Sequence, residues 1–228
     1  MLSNLADRWK SLESRLAVEW GSDISTPDAR RKALLHFHIL DHGMLRALWF
    51  NLSEISPDVW RCNQPSKRGV QRLKDLGIKT ILNLRGANQR SPYLFEKEAC
   101  EELGLDLVSC QISARSLAPR QNILELLDAF ESIERPFVMH CKSGADRAGL
   151  AAAFYLLHIK GATCARAKKQ LSFRHLHISA SATGILDHVL DAYEQKNAQS
   201  PIPLREWIET CYDPLELTAE FNQARSKS

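Results

Sequence analysis

The 228-residue sequence lacks the features that mark several classes of protein. Its formal net charge is only +3, from 30 basic and 27 acidic residues, which is too little for a nucleic-acid-binding surface. Its longest uncharged apolar run, residues 148–159, is well short of the roughly 20 residues that cross a bilayer. We therefore expect no nucleic-acid partner and no transmembrane segment. The 44% of apolar and 25% of charged residues predict an ordinary globular chain.

The six cysteines also lack the Cys-x-x-Cys spacing that zinc ribbons and thioredoxin-type pairs require. The first eleven residues include Asp7, Arg8 and Lys10, and they contain no apolar stretch of the kind that a secretory signal needs. We therefore expect reduced thiols and a cytoplasmic location. A chain of this length buries roughly 70% of its unfolded surface, so its core needs no disulfides.

Hydrophobic patterning divides the chain into three parts. Residues 1–54 predict an N-terminal helical extension, and residues 181–228 predict C-terminal helices packed on the same domain. Residues 55–180 alternate strands with helices. This alternation predicts an α/β fold with a central, mostly parallel sheet of about four to five strands flanked by helices. The predicted strands are residues 55–62, 79–85, 105–112 and 137–140.

The segment that carries the chemistry begins at Phe137 and reads Phe-Val-Met-His-Cys-Lys-Ser-Gly-Ala-Asp-Arg-Ala-Gly. It predicts an apolar strand that ends at His140, a loop over residues 141–146, and a helix of small residues that opens at Arg147. Ligands of α/β sheets lie beyond the carboxyl ends of the strands, where loop amides and a helix N-terminus attract anions. The segment therefore predicts a phosphate-binding loop.

Three residues of this loop indicate covalent phosphoryl transfer. A helix N-terminus and a nearby arginine favour the thiolate form of a cysteine, which makes Cys141 the candidate nucleophile. Gly144 can adopt backbone torsions that a side chain would resist, so that successive amides point at the phosphoryl oxygens. The planar guanidinium of Arg147 can hold two of those oxygens at once. Together they predict nucleophilic attack on a phosphate.

The sequence His-Cys-Lys-Ser-Gly-Ala-Asp-Arg at residues 140–147 resembles the phosphate-binding loop of the cysteine-dependent protein tyrosine and dual-specificity phosphatase superfamily. Trp-Arg-Cys-Asn-Gln-Pro at residues 60–65 and Thr-Ile-Leu-Asn-Leu-Arg at residues 80–85 resemble the entry strands of its compact bacterial members. The resemblance covers about residues 55–175 and implies a phosphotyrosine phosphatase-like fold, with residues 55–180 as the catalytic domain.

The resemblance also implies an activity and its residues. It implies that Cys141 forms a phosphocysteine intermediate, that Arg147 binds substrate and transition state, and that His140 favours the thiolate. The expected reaction is hydrolysis of phosphate monoesters on a phosphorylated protein, with phospholipid or inositol phosphate substrates as the alternative. No metal or organic cofactor is implied. The residues expected to bind substrate are Lys142, Ser143, Gly144, Ala145, His140, Arg115 and Arg174.

Two departures from the family pattern bear on turnover. Relatives carry a general-acid aspartate on a loop before the cysteine, whereas residues 111–119 contain no carboxylate. Asp146 resembles the in-loop aspartate of myotubularin-type lipid phosphatases and is the candidate acid; the alternative is a helix cap or an arginine pair. Ala148 stands where relatives often place a Ser or Thr that stabilises the departing thiolate. A phosphate-binding protein with little turnover is therefore a further alternative.

Two remaining patterns favour structural roles. The His-x-His spacings at residues 36–38 and 175–177 suit a metal pair, but no acidic or cysteine cluster accompanies them, so core or surface histidines are expected. The basic residues 30–32 precede an apolar stretch, residues 34–52. Packing on the catalytic core is the expected role of that stretch, and peripheral membrane contact by an amphipathic helix is the alternative.

Overall fold

The computed structural model describes residues 18–226, so residues 1–17 of the expected N-terminal extension and residues 227–228 lie outside it. Within residues 18–226, no helix is both long enough and apolar enough to cross a membrane. The strands are β1 (Ser53–Ser56), β2 (Val59–Asn63), β3 (Thr80–Asn83), β4 (Asp106–Ser109) and β5 (Phe137–Cys141). The α-helices are α1 (Pro27–Leu35), α2 (Gly43–Leu48), α3 (Lys67–Asp75), α4 (Ser91–Leu103), α5 (Arg120–Ser132), α6 (Asp146–His158), α7 (Cys164–Lys168), α8 (Ile185–Gln199), α9 (Leu204–Thr210) and α10 (Pro214–Ser226). Shorter helical turns span His36–Leu40, Phe173–His175 and Ala182–Gly184.

The five strands form one sheet in the order β1-β2-β5-β3-β4. The central strand β5 is parallel to both of its neighbours, with Phe137 opposite Val59 on one side and Thr80 on the other. Strand β1 is antiparallel to β2. The predicted α/β fold with a mostly parallel sheet of four to five strands is therefore confirmed.

The first predicted strand, residues 55–62, is a hairpin of β1 and β2 rather than one strand. The chain turns at Pro57 and Asp58, and Asp58 has a φ of +66°. Proline lacks an amide for a sheet ladder and aspartate tolerates the left-handed region, so this pair ends one strand and starts the next.

The chain folds into two compact units that alternate along the sequence. One comprises residues 18–50, 64–77 and 87–106, and holds α1 to α4. The other comprises residues 51–63, 78–86 and those from Leu107 onward, and holds nearly all of the sheet with α5 to α10. The three-part division at residues 54 and 180 stays a prediction.

The first unit is held together by polar contacts. Arg30 forms a two-pronged ion pair with Glu98, at 2.7 and 2.6 Å, and His36 Nδ1 lies 2.7 Å from Ser91 Oγ in the interior. Residues 34–52, which could have formed one amphipathic helix, do not do so. They comprise the end of α1, a π-helical turn and α2. Its exposed apolar side chains include Leu34, Leu35, Ile39, Met44, Leu45 and Leu48.

The core of the second unit is built on β5 and α6. Every residue of β5 is buried, and so is the unbroken run from Ala148 to Leu156. These small residues let α6 pack closely: a Cβ on Gly149 would lie 2.6 Å from Leu171 Cδ2 and 2.8 Å from the Gln170 carbonyl oxygen. This packing fixes the start of α6 relative to the end of β5.

The C-terminal helices complete this core and support one loop. Trp207 and Tyr212 are buried, and Tyr212 Oη donates a hydrogen bond to the Ala118 carbonyl at 2.7 Å. Arg120 donates to the Tyr212 carbonyl at 2.8 Å. The C-terminal helices therefore anchor the loop that precedes α5.

Candidate active site

The predicted phosphate-binding loop lies between the central strand and the buried helix. Strand β5 runs one residue beyond the predicted end, to Cys141, and α6 begins one residue earlier, at Asp146. The connection between β5 and α6 therefore consists of residues 142–145. Cys141 is 2% exposed, at the carboxyl end of the strand that has neighbours on both sides.

Gly144 is required by the path of this loop. Its φ is +75°, a conformation that side chains disfavour. A Cβ at this position would also lie 2.6 Å from the Cys62 carbonyl oxygen and 2.9 Å from Asn51 Nδ2. Both the positive φ and the lack of room for a Cβ therefore require glycine at this position, as the sequence analysis predicted.

Arg61, on β2, supports the loop by donating hydrogen bonds to its carbonyl oxygens, and we call these contacts the brace. Its Nη2 donates to the carbonyls of Gly144 and Ala145 at 2.6 and 2.8 Å, and its Nη1 donates to the Gln170 carbonyl at 2.7 Å. Across a trans peptide the amide points opposite to the carbonyl, so the amides of Ala145 and Asp146 are turned away from Arg61. The Ala145 amide donates to Ser143 Oγ at 3.3 Å. The brace therefore sets which way the loop amides face.

The charge of Arg61 also belongs to the site. The side chain is completely buried, and burial lowers its pKa to about 10, although the charges of Cys141 and Asp146 favour the protonated form. At neutral pH Arg61 is still a cation.

A second anchor ties the loop to the segment after α7. Asn51, which has a φ of +48°, donates from Nδ2 to the Ser143 carbonyl at 3.1 Å and to the His175 carbonyl at 3.4 Å. One side chain thus holds the outer part of the loop and residues 173–177 together.

A cavity of about 590 Å³ opens beside the loop. Three arginines line it, namely Arg85, Arg115 and Arg147, together with residues 111–119. Arg147 Nε is buried and has no hydrogen-bond acceptor among residues 18–226. In the described part of the chain, no acidic side chain lines this cavity. The cavity therefore suits an anion.

The loop over residues 111–119 is fixed at both ends. Asn122 Nδ2 donates to the Gln111 carbonyl at 2.8 Å, and Gln111 bridges to Arg85 at the end of β3. The Tyr212 contact holds Ala118 at the other end. This loop forms one wall of the cavity and supplies Arg115, but it supplies no carboxylate.

The predicted substrate residues divide between the cavity and its surroundings. Arg115 lines the cavity together with Arg147, whereas Arg174 is exposed on the turn after α7 and is not part of its lining. His140 is fully buried on β5, with Nδ1 3.4 Å from the Cys141 carbonyl. Lys142 is half-buried on the loop. The roles assigned to these residues stay predictions.

Asp146 has a partner that the sequence did not indicate. Its Oδ1 lies 2.7 Å from His177 Nδ1, and Asp187 Oδ2 lies 2.6 Å from His177 Nε2. The His177 side chain is fully buried. Burial lowers the pKa of His177, but the hydrogen bonds and charges of the two aspartates outweigh it and raise the pKa to about 9. At neutral pH His177 is therefore an imidazolium.

His175, two residues earlier, is in the opposite state. Burial, and then the charges of Arg61 and Arg174, lower its pKa to about 4. His175 is therefore neutral where His177 is charged. Among residues 18–226, no group of three or more His, Cys, Asp and Glu side chains is arranged to hold a metal ion.

The residues that sequence reasoning missed are Arg61, Arg85, His177 and Asp187. Arg61 and Arg85 stand in segments that resemble the family's entry strands, so their position was noted without a role. His177 was expected to be an ordinary core or surface histidine. Nothing in the sequence pattern connects it to Asp146, which is 31 residues away.

Comparisons with known proteins agree with this geometry. The model of a family described as "DSP-PTPase phosphatase fused to NAD+ Kinase" matches residues 51–184, more than half of the chain. The dual specificity protein phosphatase TpbA of Pseudomonas aeruginosa (strain UCBPP-PA14) is 28% identical over 113 residues, which cover 49% of this chain and 48% of TpbA. The chain thus spans about half the length of the curated relatives it matches.

Solved structures show the same fold. The crystal structure of P. aeruginosa TpbA has a TM-score of 0.50 at 20% identity, over 65% of this chain and 91% of that chain. The structure of Tk-PTP in its active form has a TM-score of 0.52 at 17% identity, over 65% of this chain and 99% of that chain. The predicted phosphotyrosine phosphatase-like fold is therefore confirmed.

The brace can be tested by Arg61→Met. The variant leaves the buried Gly144 carbonyl without its donor, which costs about 1–3 kcal/mol, whereas the Ala145 carbonyl still accepts from the Gly149 amide at 2.9 Å. We expect the free energy of unfolding to fall by about 1–3 kcal/mol, measured by urea denaturation. Arg166→Met, at an exposed arginine of α7, is the control and is expected to change little. Equal stability of the two variants would contradict the brace.

The charge of His177 predicts a pH dependence of stability. Because its pKa is about 9 in the folded protein against 6.5 in the unfolded chain, its contribution is complete below pH 6.5 and is lost as the pH rises through 9. Relative to His177→Gln, the wild type is expected to lose at most about 3 kcal/mol of unfolding free energy over this range. The measurement is denaturation at a series of pH values. If the unfolding free energies of the two proteins change with pH in parallel, His177 is not charged in the folded protein.

Proposed function

The chain belongs to the family described as "DSP-PTPase phosphatase fused to NAD+ Kinase", and from this we propose that it hydrolyses phosphate monoesters through a phosphocysteine intermediate. The proposal rests on one observation, the loop between β5 and α6. Cys141 ends the central strand, and Arg147, six residues later, lines a cavity that no acidic side chain of residues 18–226 lines. A nucleophile and an anion-binding arginine at the two ends of one braced loop suit phosphoryl transfer.

The proposed reaction has two steps. In the first, Cys141 Sγ attacks phosphorus, an S–P bond forms, and the P–O bond to the leaving group breaks. In the second, a water oxygen attacks phosphorus and the S–P bond electrons return to Cys141 as a thiolate. Arg147 and the loop amides stabilise the charge on the transferring phosphoryl group. Arg61, through its hydrogen bonds to the Gly144 and Ala145 carbonyls, keeps the loop in place during both steps.

The first candidate substrate is a phosphorylated protein, because the relative TpbA is named a dual specificity protein phosphatase. A second candidate is favoured by the cavity itself. Arg85 and Arg115 line it beside Arg147, and its volume of about 590 Å³ exceeds what a single phosphate needs. Three cations facing one cavity favour a substrate with more than one phosphate, such as an inositol phosphate or a phosphorylated lipid headgroup.

The covalent step is tested by Cys141→Ser. A hydroxyl is a far weaker nucleophile than a thiolate, so release of inorganic phosphate is expected to fall to background on every substrate. Binding of inorganic phosphate should persist, because backbone amides and Arg147 supply it. Full residual release would contradict the covalent mechanism. A wild type that binds phosphate but releases none would favour the alternative of a phosphate-binding protein, with Ala148 as a cause.

The substrate class is tested by Arg115→Gln on a panel of phosphotyrosine and phosphoserine peptides, inositol phosphates and phosphorylated lipids. If Arg115 binds a second phosphate, the variant should lose about tenfold or more in kcat/KM on substrates with several phosphates, and little on phosphopeptides. Arg166→Gln, which removes an exposed arginine of α7, controls for net charge. Equal losses on both classes would favour the protein substrate.

A further inference from the structure

The segment over residues 173–178, which we call the apolar turn, exposes apolar side chains and buries polar ones. Its buried side chains include the histidines His175 and His177. Its exposed apolar residues are 75%, 48% and 54% exposed, at Phe173, Leu176 and Ile178 respectively. Folding alone favours the opposite arrangement, because apolar surface gains free energy by leaving water and a polar group loses it. Packing of the core therefore does not explain this turn.

Hydrogen bonds fix the apolar turn in this arrangement. The amides of His175 and His177 both donate to the Ser172 carbonyl, at 3.0 and 3.1 Å. Between the two histidines, Leu176 has a φ of +62°, a conformation that leucine disfavours. Such a conformation persists only where its surroundings hold it, and here the buried residues on both sides do so. The turn therefore keeps Leu176 exposed at a cost in backbone strain.

The apolar turn lies beside the phosphate-binding loop. Asn51 Nδ2 donates to the Ser143 carbonyl in the loop at 3.1 Å and to the His175 carbonyl in the turn at 3.4 Å. Asn51 lies just before β1, which is antiparallel to β2, and so it is at the edge of the sheet where β2 and β5 end. The arginine-lined cavity opens at the same edge, since Arg85 follows the end of β3. The turn and the cavity therefore border one loop.

The charges around the apolar turn suit an anionic partner. Arg174 is exposed on the turn, and none of residues 173–178 is acidic. The carboxyl groups of Asp146 and Asp187 contact the His177 ring at 2.7 and 2.6 Å, and the positive charge of that ring offsets theirs in part. The neighbouring cavity is lined by arginines. An anionic surface is therefore attracted to this edge of the sheet.

These features fit an anionic lipid surface better than a peptide. Aromatic and aliphatic side chains next to an arginine are typical of segments that bind at the membrane interface. A peptide side chain needs a pocket in which it leaves water, whereas Phe173 projects from the surface. A projecting apolar side chain leaves water most readily by entering a lipid layer.

We propose that the apolar turn inserts into the interface of an anionic membrane and brings the phosphate-binding loop to a phosphorylated lipid headgroup. Phe173 and Leu176 bury their side chains among the lipids, and Arg174 contacts lipid phosphates. The choice of a phosphorylated lipid as substrate rests on the proposed function, because it deepens the second candidate substrate. Binding to the membrane does not require turnover.

Cosedimentation with vesicles tests the membrane contact. The wild type is expected to bind phosphatidylcholine vesicles that contain phosphatidylserine more tightly than pure phosphatidylcholine vesicles. Phe173→Gln combined with Leu176→Asn should weaken this binding about tenfold or more, because two apolar side chains no longer enter the lipid. Asparagine tolerates a positive φ, so the turn keeps its conformation. Arg174→Gln should weaken the binding about fivefold at low salt.

Two exposed side chains away from the turn supply matched controls. Leu215→Gln changes a leucine of α10 that is 81% exposed, and Arg166→Gln removes an exposed arginine of α7. Both variants are expected to bind vesicles as the wild type does. Circular dichroism checks that every variant is folded.

Release of inorganic phosphate links the apolar turn to the substrate. On a phosphatidylinositol phosphate in vesicles, the double variant at Phe173 and Leu176 is expected to lose about tenfold in kcat/KM, mainly through KM. On a soluble inositol phosphate and on nitrophenyl phosphate it should keep the wild-type kcat/KM. These two arms separate a lipid headgroup from a free inositol phosphate.

Two results would overturn the inference. One is a wild type that does not sediment with phosphatidylserine vesicles, or that sediments no better than the double variant. The other is a double variant that loses as much kcat/KM on phosphopeptides or soluble inositol phosphates as on vesicles, since the turn would then contact a soluble substrate. Failure of the proposed function would look different, because the wild type would then release no phosphate from any substrate, whether or not it bound vesicles.

Discussion

The buried guanidinium of Arg61 is the interaction on which the rest of the site depends. It donates to the buried carbonyls of Gly144 and Ala145, of which Ala145 also accepts from the Gly149 amide, and it donates to the Gln170 carbonyl as well. The same cation faces the Cys141 thiol and the Asp146 carboxylate from beneath the loop. One buried cation therefore determines the path of the loop.

Two neighbouring histidines near the loop are in opposite states. His177 contacts the carboxyl groups of Asp146 and Asp187, which raise its pKa to about 9 against the effect of burial. His175 stays neutral because burial, and then the charges of Arg61 and Arg174, lower its pKa to about 4. A buried histidine is charged only where its partners compensate the lost hydration.

The cavity is formed by residues from three separate parts of the chain. Arg85 follows β3, Arg115 belongs to the loop that Tyr212 and Asn122 anchor, and Arg147 opens α6. The C-terminal helices thus contribute to the site through Tyr212, without lining the cavity. The resemblance implied an acid on the loop over residues 111–119, but this loop contains no carboxylate and supplies Arg115 to the wall of the cavity.

The local patterns of the sequence were enough to predict the α/β fold and the strand, glycine loop and small-residue helix at residues 137–149, because each depends on neighbours within a few positions. The turn was missed although Pro57 and Asp58 are turn-forming residues, because residues 55–62 were interpreted as one short strand. Only the tertiary structure decided the partners of Arg61 and His177, which lie 83 and 31 residues from the groups they bind. Spacing in the sequence carries no information about such contacts, because they arise from the order of strands in the sheet and from the packing of α6 and α8. The sequence therefore determined the loop and its candidate nucleophile, while the tertiary structure decided which buried charged groups lie beside them.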